Sequence, residues 1–262
     1  MLDSRPGLKA KLAAGQPVIG SYVTIQSPDI VELFACAGMD YAILDMQHSS
    51  PDFGLLQHMI RAADARGMST VVRVHTHDPA LILKVLELGP EGISLPGVRS
   101  VEDVNKVVDA AYYAPIGHRG ACGHTRVGGY NSRRSDMPQH IARQHERLLI
   151  WALLEDAEAI EQAGAIAALQ PGVGAISVGR GDLSVLLGYP GQVDHPDVVG
   201  AAVGVIAEVR EKSGGRCASA IMVQRPEDIP VWRERGCLMF TYGADAILLM
   251  EAARGAVEAF RR

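Results

Sequence analysis

Residues 41–48 read Tyr-Ala-Ile-Leu-Asp-Met-Gln-His, a short apolar run followed by polar side chains. A continuous apolar run of this length is typical of a strand that is buried on both faces of a parallel sheet. Seven similar runs occur elsewhere in the chain, with helical patterns between them. The eight runs span residues 18–24, 41–46, 70–74, 92–95, 149–154, 175–178, 217–223 and 238–242, and the helix candidates span residues 28–37, 53–66, 79–88, 101–112, 157–168, 196–212 and 226–235. Eight alternating strands and helices predict an α/β fold, a closed (β/α)8 TIM barrel.

The length and composition agree with this fold. The chain has 262 residues, 48% of them hydrophobic and 21% charged, which is typical of a globular protein. A (β/α)8 barrel has roughly 250 residues, so we expect residues 1–262 to form one domain. The net charge of −5 argues against nucleic acid or an anionic membrane as a partner.

The cysteines and the N-terminus indicate where the protein works. The four cysteines lie far apart, which favours reduced, mostly buried thiols over a zinc site or disulfides. Residues 1–14 carry several charges and lack the apolar core of a signal peptide. The longest uncharged stretch, residues 163–179, contains proline and glycines and is too short to span a bilayer comfortably. We therefore expect a cytoplasmic protein.

Charged side chains occur at or near the ends of several predicted strands. Asp45 and His48 lie at the end of the second run, and Arg73 lies within the third. Glu155 and Asp182 follow the fifth and sixth. The carboxyl ends of barrel strands carry the catalytic groups of this fold. A buried charge is costly unless it is paired or binds a metal. Together these placements predict one shared polar centre.

Each residue alone also has a structural interpretation. Arg73 would then be an ion-pair partner, Glu155 and Asp182 would cap helices, and His48 would be a hydrogen-bonded rim residue. As a group, two carboxylates without a cysteine or a close histidine pair suit Mg²⁺ or Mn²⁺. An imidazole adds a base near neutral pH, and a guanidinium adds a clamp for an oxyanion. This combination is typical of enolate chemistry.

Two segments carry weaker signals. Residues 179–184 read Gly-Arg-Gly-Asp-Leu-Ser and lead from a strand into a helix, where backbone N–H groups can bind a carboxylate or phosphate. The long connection between the fourth and fifth runs is rich in Gly, Arg, His and Asn over residues 114–138. Long loops in compact domains are usually functional, and we expect this loop to influence substrate choice.

These residues resemble the HpcH/HpaI family of metal-dependent class II pyruvate aldolases, which have a barrel of the phosphoenolpyruvate/pyruvate type. The resemblance runs from residue 12 to residue 253. The motifs that carry it are Leu-Asp-Met-Gln-His at 44–48, Val-Arg-Val at 72–74, Ile-Ser-Leu-Pro-Gly-Val at 93–98, Tyr-Ala-Pro-Ile-Gly-His-Arg-Gly at 113–120, Leu-Glu-Asp at 154–156, and Val-Gly-Arg-Gly-Asp-Leu-Ser at 178–184 with Gly188.

The resemblance implies a metal-binding and catalytic role for most of the charged residues. Glu155 and Asp182 would hold a divalent cation, Mg²⁺, Mn²⁺ or Co²⁺, to which a 2-oxo acid binds. Arg73 would stabilise the enolate oxygen, and His48 would move the proton, with Asp45 in the same catalytic group.

It also implies a substrate-binding segment and an assembly. The backbone around Gly181 and Asp182 would hold the substrate carboxylate, and Ser184 belongs to the same segment. An acidic residue that orients the histidine crosses a subunit interface in this family, and Glu87 is the matching position, where aspartate is more usual. A homohexamer, built as a trimer of dimers with an exchanged C-terminal helix, is expected.

Three positions depart from the family pattern. Gln47 replaces a glutamate beside the histidine, which removes one negative charge. Leu153 replaces a glutamine, which removes a polar contact near the metal. Arg180, followed by Gly181, stands where proline is usual, which adds a cation and flexibility. All four central groups are kept, so we expect the chemistry to be retained and the substrate preference or efficiency to differ.

The leading functional prediction is an aldolase that reversibly cleaves a 4-hydroxy-2-oxo acid into pyruvate, or a close 2-oxo acid, and an aldehyde. A Schiff-base mechanism is disfavoured, because lysines such as Lys84 and Lys106 fall on helix candidates. One alternative is a lyase or decarboxylase acting on an acyl-CoA ester or oxaloacetate. Coenzyme A needs cations, and the candidates are Arg99, Arg119, Arg126, Arg133 and Arg134. A non-catalytic 2-oxo-acid binding protein is the other alternative.

Overall fold

The computed structural model describes residues 5–132 and 136–262. Within them, eight parallel strands form a closed barrel in sequence order, and β8 pairs with β1. This confirms the predicted (β/α)8 barrel. The strands are β1 (Val18–Val23), β2 (Tyr41–Asp45), β3 (Ser69–Arg73), β4 (Gly92–Leu95), β5 (Leu149–Leu154), β6 (Ala175–Val178), β7 (Ala218–Val223) and β8 (Cys237–Ala244).

Helices surround the barrel and follow the predicted pattern closely. They are α1 (Leu8–Ala13), α2 (Pro28–Cys36), α3 (Phe53–Arg66), α4 (Pro79–Glu87), α5 (Val101–Ala111), α6 (Met137–Arg147), α7 (Ala157–Glu161), α8 (Ala163–Ala168), α9 (Arg180–Leu186), α10 (Pro196–Lys212), α11 (Asp228–Glu234) and α12 (Asp245–Arg261). The predicted helix at 157–168 is two helices. The sequence prediction missed α1 and α6; α6 has few apolar residues and buries none of them.

Local sequence signals explain where several helices begin and end. The Ser27 hydroxyl accepts from the Asp29 N–H at the start of α2, and the Asp78 carboxylate accepts from the Ala80 N–H at the start of α4. A proline follows each cap, where its missing N–H costs nothing. Gly67 ends α3 with a φ of 81°, which a residue with a side chain adopts only with strain.

The barrel has an inner and an outer core. The inner core contains Tyr41, Ile43, Val71 and Trp151, and the outer core fills the space between strands and helices. Because residues paired in register on parallel strands share a face, the inner face continues from Ile43 to Asp45 and from Val71 to Arg73. The interior therefore changes from apolar to charged toward the carboxyl ends of the strands.

The described part of the long loop, residues 112–132, lies at the opposite end of the barrel. It follows α5, and its Arg126 donates to the Leu88 carbonyl oxygen at 2.8 Å and pairs with Asp64. Leu88 and Asp64 precede β4 and β3, so both mark the amino ends of the strands. These described residues therefore do not line the carboxyl-end face of their own barrel.

The cysteines differ in exposure, and the described helices can be tested for membrane-spanning length. All four cysteines are free; Cys217 and Cys237 are buried, whereas Cys36 and Cys122 are exposed, contrary to the expectation of mostly buried thiols. Burial raises the pKa of Cys237 to about 12. Among the described residues, no helix is both apolar enough and long enough to cross a bilayer.

Candidate active site

Asp45 and Arg73 form a two-pronged ion pair at the carboxyl ends of β2 and β3. The two residues are paired in register, which places their side chains next to each other. Arg73 Nε donates to Asp45 Oδ1 at 2.8 Å, and Arg73 Nη2 donates to Asp45 Oδ2 at 2.7 Å. Asp45 also accepts from the backbone N–H groups of Gln47 and His48, at 2.9 and 3.3 Å. Asp45 therefore holds both Arg73 and the turn that carries His48.

These contacts keep Asp45 ionised and leave one donor of Arg73 unused. Burial raises the pKa of the Asp45 carboxyl, but the hydrogen bonds and charge of Arg73 and the two backbone N–H groups outweigh it and lower the pKa below its ordinary value. Asp45 is thus an ionised anchor with four hydrogen bonds. No described residue accepts a hydrogen bond from Arg73 Nη1, so this donor is available to a ligand.

The ion pair predicts a pH-dependent stability difference. Replacing Asp45 with Asn leaves the half-buried Arg73 without its counter-charge, and we expect a loss of about 3 kcal/mol in the free energy of unfolding at pH 7. Because the folded-state pKa of Asp45 is depressed, its contribution is complete above the ordinary pKa of 3.8 and decreases as the pH falls below it. Urea unfolding of both proteins from pH 7 to pH 3 measures this difference, and a constant gap contradicts the prediction.

Glu155 and Asp182 lie together on the other side of the barrel mouth. Glu155 directly follows β5 and accepts from the Gly97 N–H at 2.8 Å, while Asp182 is exposed in the first turn of α9. A side chain at Gly179 would come within 2.8 Å of Glu155 Cγ, so glycine is needed there for this approach. Burial raises the pKa of Glu155, and the nearby Asp182 carboxyl raises it further.

This carboxylate pair fits a divalent cation. A cation that binds beside Glu155 and Asp182 would stabilise the ionised form of Glu155, which burial and the Asp182 carboxyl disfavour. Mg²⁺ and Mn²⁺ take one or two carboxylates and complete their octahedron with water or substrate oxygens. Residues 5–132 and 136–262 contain no cluster of three or more His, Cys, Asp or Glu side chains arranged for a metal. The donor set is thus the pair itself, with room for ligands from the substrate.

His48 and Gln47 lie on the turn after β2. His48 is exposed, which suits a group that exchanges protons with solvent or substrate. Gln47 has a side-chain oxygen that is buried without a hydrogen-bond partner. Gln47 is one of the three departures from the family pattern, and the structure places it directly beside the Asp45–Arg73 pair.

The segment 179–184 is ordered by its own contacts. The Ser184 hydroxyl is fully buried, donates to the Gly181 carbonyl oxygen at 2.6 Å and accepts from the Gly191 N–H at 3.1 Å. Gly181 has open space where a side chain would be. Ser184 therefore shapes the loop through its protein contacts, and Gly181 presents accessible backbone to the site.

Arg180 does not add a free cation to this loop, contrary to the expectation from sequence. Its guanidinium donates to the carbonyl oxygens of Met222 and Val193, at 2.7 and 3.3 Å, and to Asp194 Oδ1 at 3.2 Å. It also stacks on Trp232, with 4.9 Å between the guanidinium carbon and the ring centroid. The side chain is therefore packed between the barrel and α11, where it fixes the loop.

Glu87 lies far from His48 within one chain. It is the last residue of α4, which returns the chain to the amino ends of the strands, whereas His48 follows the carboxyl end of β2. Its charge acts on Arg119 and Tyr113 of the long loop. Arg119 is buried, and its Nε and Nη2 atoms have no partner. Glu87 and His48 of one chain are therefore at opposite ends of the barrel.

The sequence analysis missed Tyr22, and Leu153 lies on the strand that leads to Glu155. Tyr22 lies on β1 with its ring against the Arg73 guanidinium, 4.4 Å from ring centroid to guanidinium carbon. Leu153 precedes Glu155 by two residues on β5 and pairs in register with Ser177. A tyrosine within an apolar run is the one signal that points to Tyr22, and it does not distinguish a site residue from a core residue.

Comparison with known proteins identifies the family to which this chain belongs. A family model described as HpcH/HpaI aldolase/citrate lyase matches residues 18–252, which include every strand of the barrel and both charged pairs. The chain belongs to this family. Its members named below are aldolases, and the protein is accordingly a carbon–carbon lyase.

Several members of the family align over nearly their whole length. The 4-hydroxy-2-oxo-heptane-1,7-dioate aldolase of Escherichia coli is 28% identical over 255 residues, covering 96% of this chain and 94% of that protein. The hydroxypyruvate/pyruvate aldolase of Paraburkholderia phytofirmans is 29% identical over 260 residues, covering 97% of each. The crystal structure of an HpcH/HpaI aldolase from Desulfitobacterium hafniense superposes with a TM-score of 0.91 and 30% identity, covering 98% of both chains.

Proposed function

We propose that this family member is a divalent-metal-dependent aldolase that reversibly cleaves 4-hydroxy-2-oxo acids into pyruvate, or a close 2-oxo acid, and an aldehyde. The observation that carries the proposal is the pairing of two charged units at one barrel mouth, Asp45 with Arg73 and Glu155 with Asp182. One unit offers a free guanidinium donor and the other a carboxylate pair for a cation. We assign the barrel to the phosphoenolpyruvate/pyruvate type on the same grounds.

Glu155 and Asp182 would hold Mg²⁺, Mn²⁺ or Co²⁺. A divalent cation bound there withdraws electrons from a 2-oxo acid and so makes its C3 protons more acidic. The accessible backbone at Gly181 and Asp182 would receive the substrate carboxylate, and Ser184 keeps that backbone in place through its two hydrogen bonds.

On the opposite side of the site, Arg73 would stabilise the developing negative charge and His48 would transfer the proton. Arg73 Nη1 would donate to the oxygen that becomes negative when the proton leaves C3, since a fixed donor stabilises such an oxygen more than it stabilises the neutral carbonyl. His48 would carry the proton, and its exposed position gives it access to solvent. Asp45 would orient both groups without exchanging a proton itself.

We propose a homohexamer, a trimer of dimers, acting in the cytoplasm. The C-terminal helix α12 extends from the barrel, and only its first residue, Asp245, is buried. Asp245 accepts from the N–H groups of Thr24 and Ile25, which fixes where the helix begins. The apolar side chains of Val257 and Phe260 near its end are exposed, Phe260 by 90%. An exchange of α12 between subunits would cover them, and Glu87 would reach the His48 of a neighbouring subunit.

The assembly makes a prediction for α12. Replacing Val257 and Phe260 together with Glu places charges on the apolar face, and we expect the oligomer to dissociate into smaller species because charges in an apolar interface are unpaired. The substitution of the exposed Glu258 with Gln on the same turn is the control. Light scattering coupled to size-exclusion chromatography measures the mass, and an unchanged mass for the double variant contradicts the role of α12.

The test of the function is exchange of the pyruvate methyl protons in D₂O, followed by proton NMR. With Mg²⁺, or with Mn²⁺ that is removed before recording, the methyl signal should disappear, and EDTA should prevent this. The experiment detects C3 deprotonation before any aldehyde is known. A folded, metal-loaded protein that binds pyruvate and larger 2-oxo acids without exchanging their protons would instead be a binding protein.

The positions of the candidate arginines argue against the acyl-CoA form of the alternative substrate. Arg119 is buried, Arg126 is paired with Asp64 at the amino ends of the strands, and Arg133 and Arg134 lie outside the described residues. Of the three described candidates, Arg99 alone lies at the carboxyl-end face, paired with Asp156 at 3.1 Å. One chain thus favours a small 2-oxo acid over a coenzyme A ester, and absence of saturable coenzyme A binding is expected.

A further inference from the structure

The Tyr22 ring supports the Arg73 guanidinium from the β1 side of the barrel. Tyr22 pairs in register with Ile43 and packs against the inner core. The guanidinium carbon of Arg73 lies 4.4 Å from the ring centroid, a distance at which an aromatic face attracts the cation. Arg73 is therefore fixed on one side by Asp45 and on another by the ring of Tyr22.

The hydroxyl of Tyr22 has no protein partner among the described residues. The other large tyrosine of the barrel interior behaves differently: Tyr41 donates to the Phe240 carbonyl oxygen at 2.8 Å and lies 2.9 Å from the Thr241 hydroxyl. Tyr41 is fully buried, whereas Tyr22 is only partly buried. The Tyr22 hydroxyl is thus a polar group at the site that is accessible to a ligand.

The surrounding charges keep the Tyr22 proton in place. Burial raises the pKa of the phenol, Arg73 offsets part of that effect, and the carboxylates of Asp45 and Glu155 raise the pKa further. These influences also show that the hydroxyl lies near both charged pairs of the site. A phenol that stays protonated at neutral pH donates a hydrogen bond and does not act as a base.

We propose that Tyr22 is a catalytic residue whose hydroxyl, together with Arg73, binds the substrate oxygen that becomes negative when the 2-oxo acid loses a C3 proton. This inference rests on the function proposed above. Stacking holds the phenol ring 4.4 Å from the guanidinium carbon, so the Tyr22 hydroxyl and the Arg73 donor belong to the same group of side chains. Two donors directed at one developing charge form an oxyanion hole, whose donors bind more strongly as the charge grows.

Tyr22→Phe tests the proposal because it removes the hydroxyl and keeps the ring that supports Arg73. We expect the rate of pyruvate proton exchange to fall about 10- to 100-fold, with kcat affected more than KM. Oxalate is a planar dianion that resembles the deprotonated 2-oxo acid, and its Kd should rise about 10-fold. The Mn²⁺ affinity and the melting temperature should not change, since the hydroxyl makes no hydrogen bond to the described residues.

Tyr41→Phe is the matched control and should show the opposite pattern. It removes a hydroxyl that is hydrogen-bonded in the barrel interior, so the melting temperature should fall while oxalate binding stays the same. If Tyr22→Phe exchanges pyruvate protons and binds oxalate like the unmodified protein, the role of Tyr22 is overturned and the proposed function stands. If the unmodified protein does neither, the proposed function fails and the role of Tyr22 fails with it.

Discussion

Replacing Glu155 with Gln should reduce turnover at least about 10³-fold, because a divalent cation contributes several kcal/mol to a reaction that develops negative charge. The variant keeps the size of the side chain and removes one of the two charges that would hold the cation. It also removes a carboxylate whose pKa is raised by burial and by Asp182, so the metal-free protein should remain folded. Pyruvate release from a 4-hydroxy-2-oxo acid measures turnover, and titration calorimetry with Mn²⁺ measures cation binding.

The controls separate loss of the cation from loss of the fold. Glu158 is an exposed acid on α7, three residues further along the chain, and Glu158→Gln should keep full activity and cation affinity. Asp182→Asn should reproduce the effect of Glu155→Gln. Full activity of both site variants, together with indifference to EDTA, would rule out a metal-dependent mechanism at this pair.

Replacing Arg73 with Lys should reduce kcat about 10²- to 10³-fold, comparable to the removal of one oxyanion donor. Lysine keeps a positive charge next to Asp45, so the buried carboxylate retains a partner and the fold should persist. An ammonium group cannot donate to both Asp45 oxygens in a fixed fork and still present a third donor to a substrate. Steady-state kinetics of the cleavage reaction should show the loss mainly in kcat.

Arg66 provides the comparison for this substitution. It forms an exposed ion pair with Glu32 at 3.1 Å, on the outer helices α3 and α2. Exposed pairs contribute about 0–1 kcal/mol, so Arg66→Lys should leave both stability and activity nearly unchanged. Equal kinetics for Arg73→Lys and Arg66→Lys would show that Arg73 serves only as the structural partner of Asp45.

The ion-pair role and the oxyanion-binding role of Arg73 are compatible in one side chain. The sequence analysis treated an ion-pair role and an oxyanion role as competing interpretations. In the structure, Nε and Nη2 of Arg73 satisfy Asp45 while Nη1 stays available. The division of one guanidinium between two tasks depends on atomic geometry, which no residue pattern encodes.

The sequence by itself determined the order of the barrel and the strand ends that carry charge. These features are local: an apolar run, a helical repeat and a proline after a capping residue are set by neighbours in the chain. Asp45, Arg73, Glu155 and Asp182 could therefore be assigned to one face once the strands were parallel.

The tertiary structure alone decided which groups face each other and which do not. Tyr22 and Arg180 show this. Tyr22, an aromatic residue in an apolar run, lies against Arg73. The side chain of Arg180 donates to Met222 and Asp194 and does not face the site. Residues 112–132 of the long loop likewise lie at the far end of the barrel. Such placements follow from barrel closure and side-chain packing between distant segments, and each depends on contacts that the local sequence does not contain.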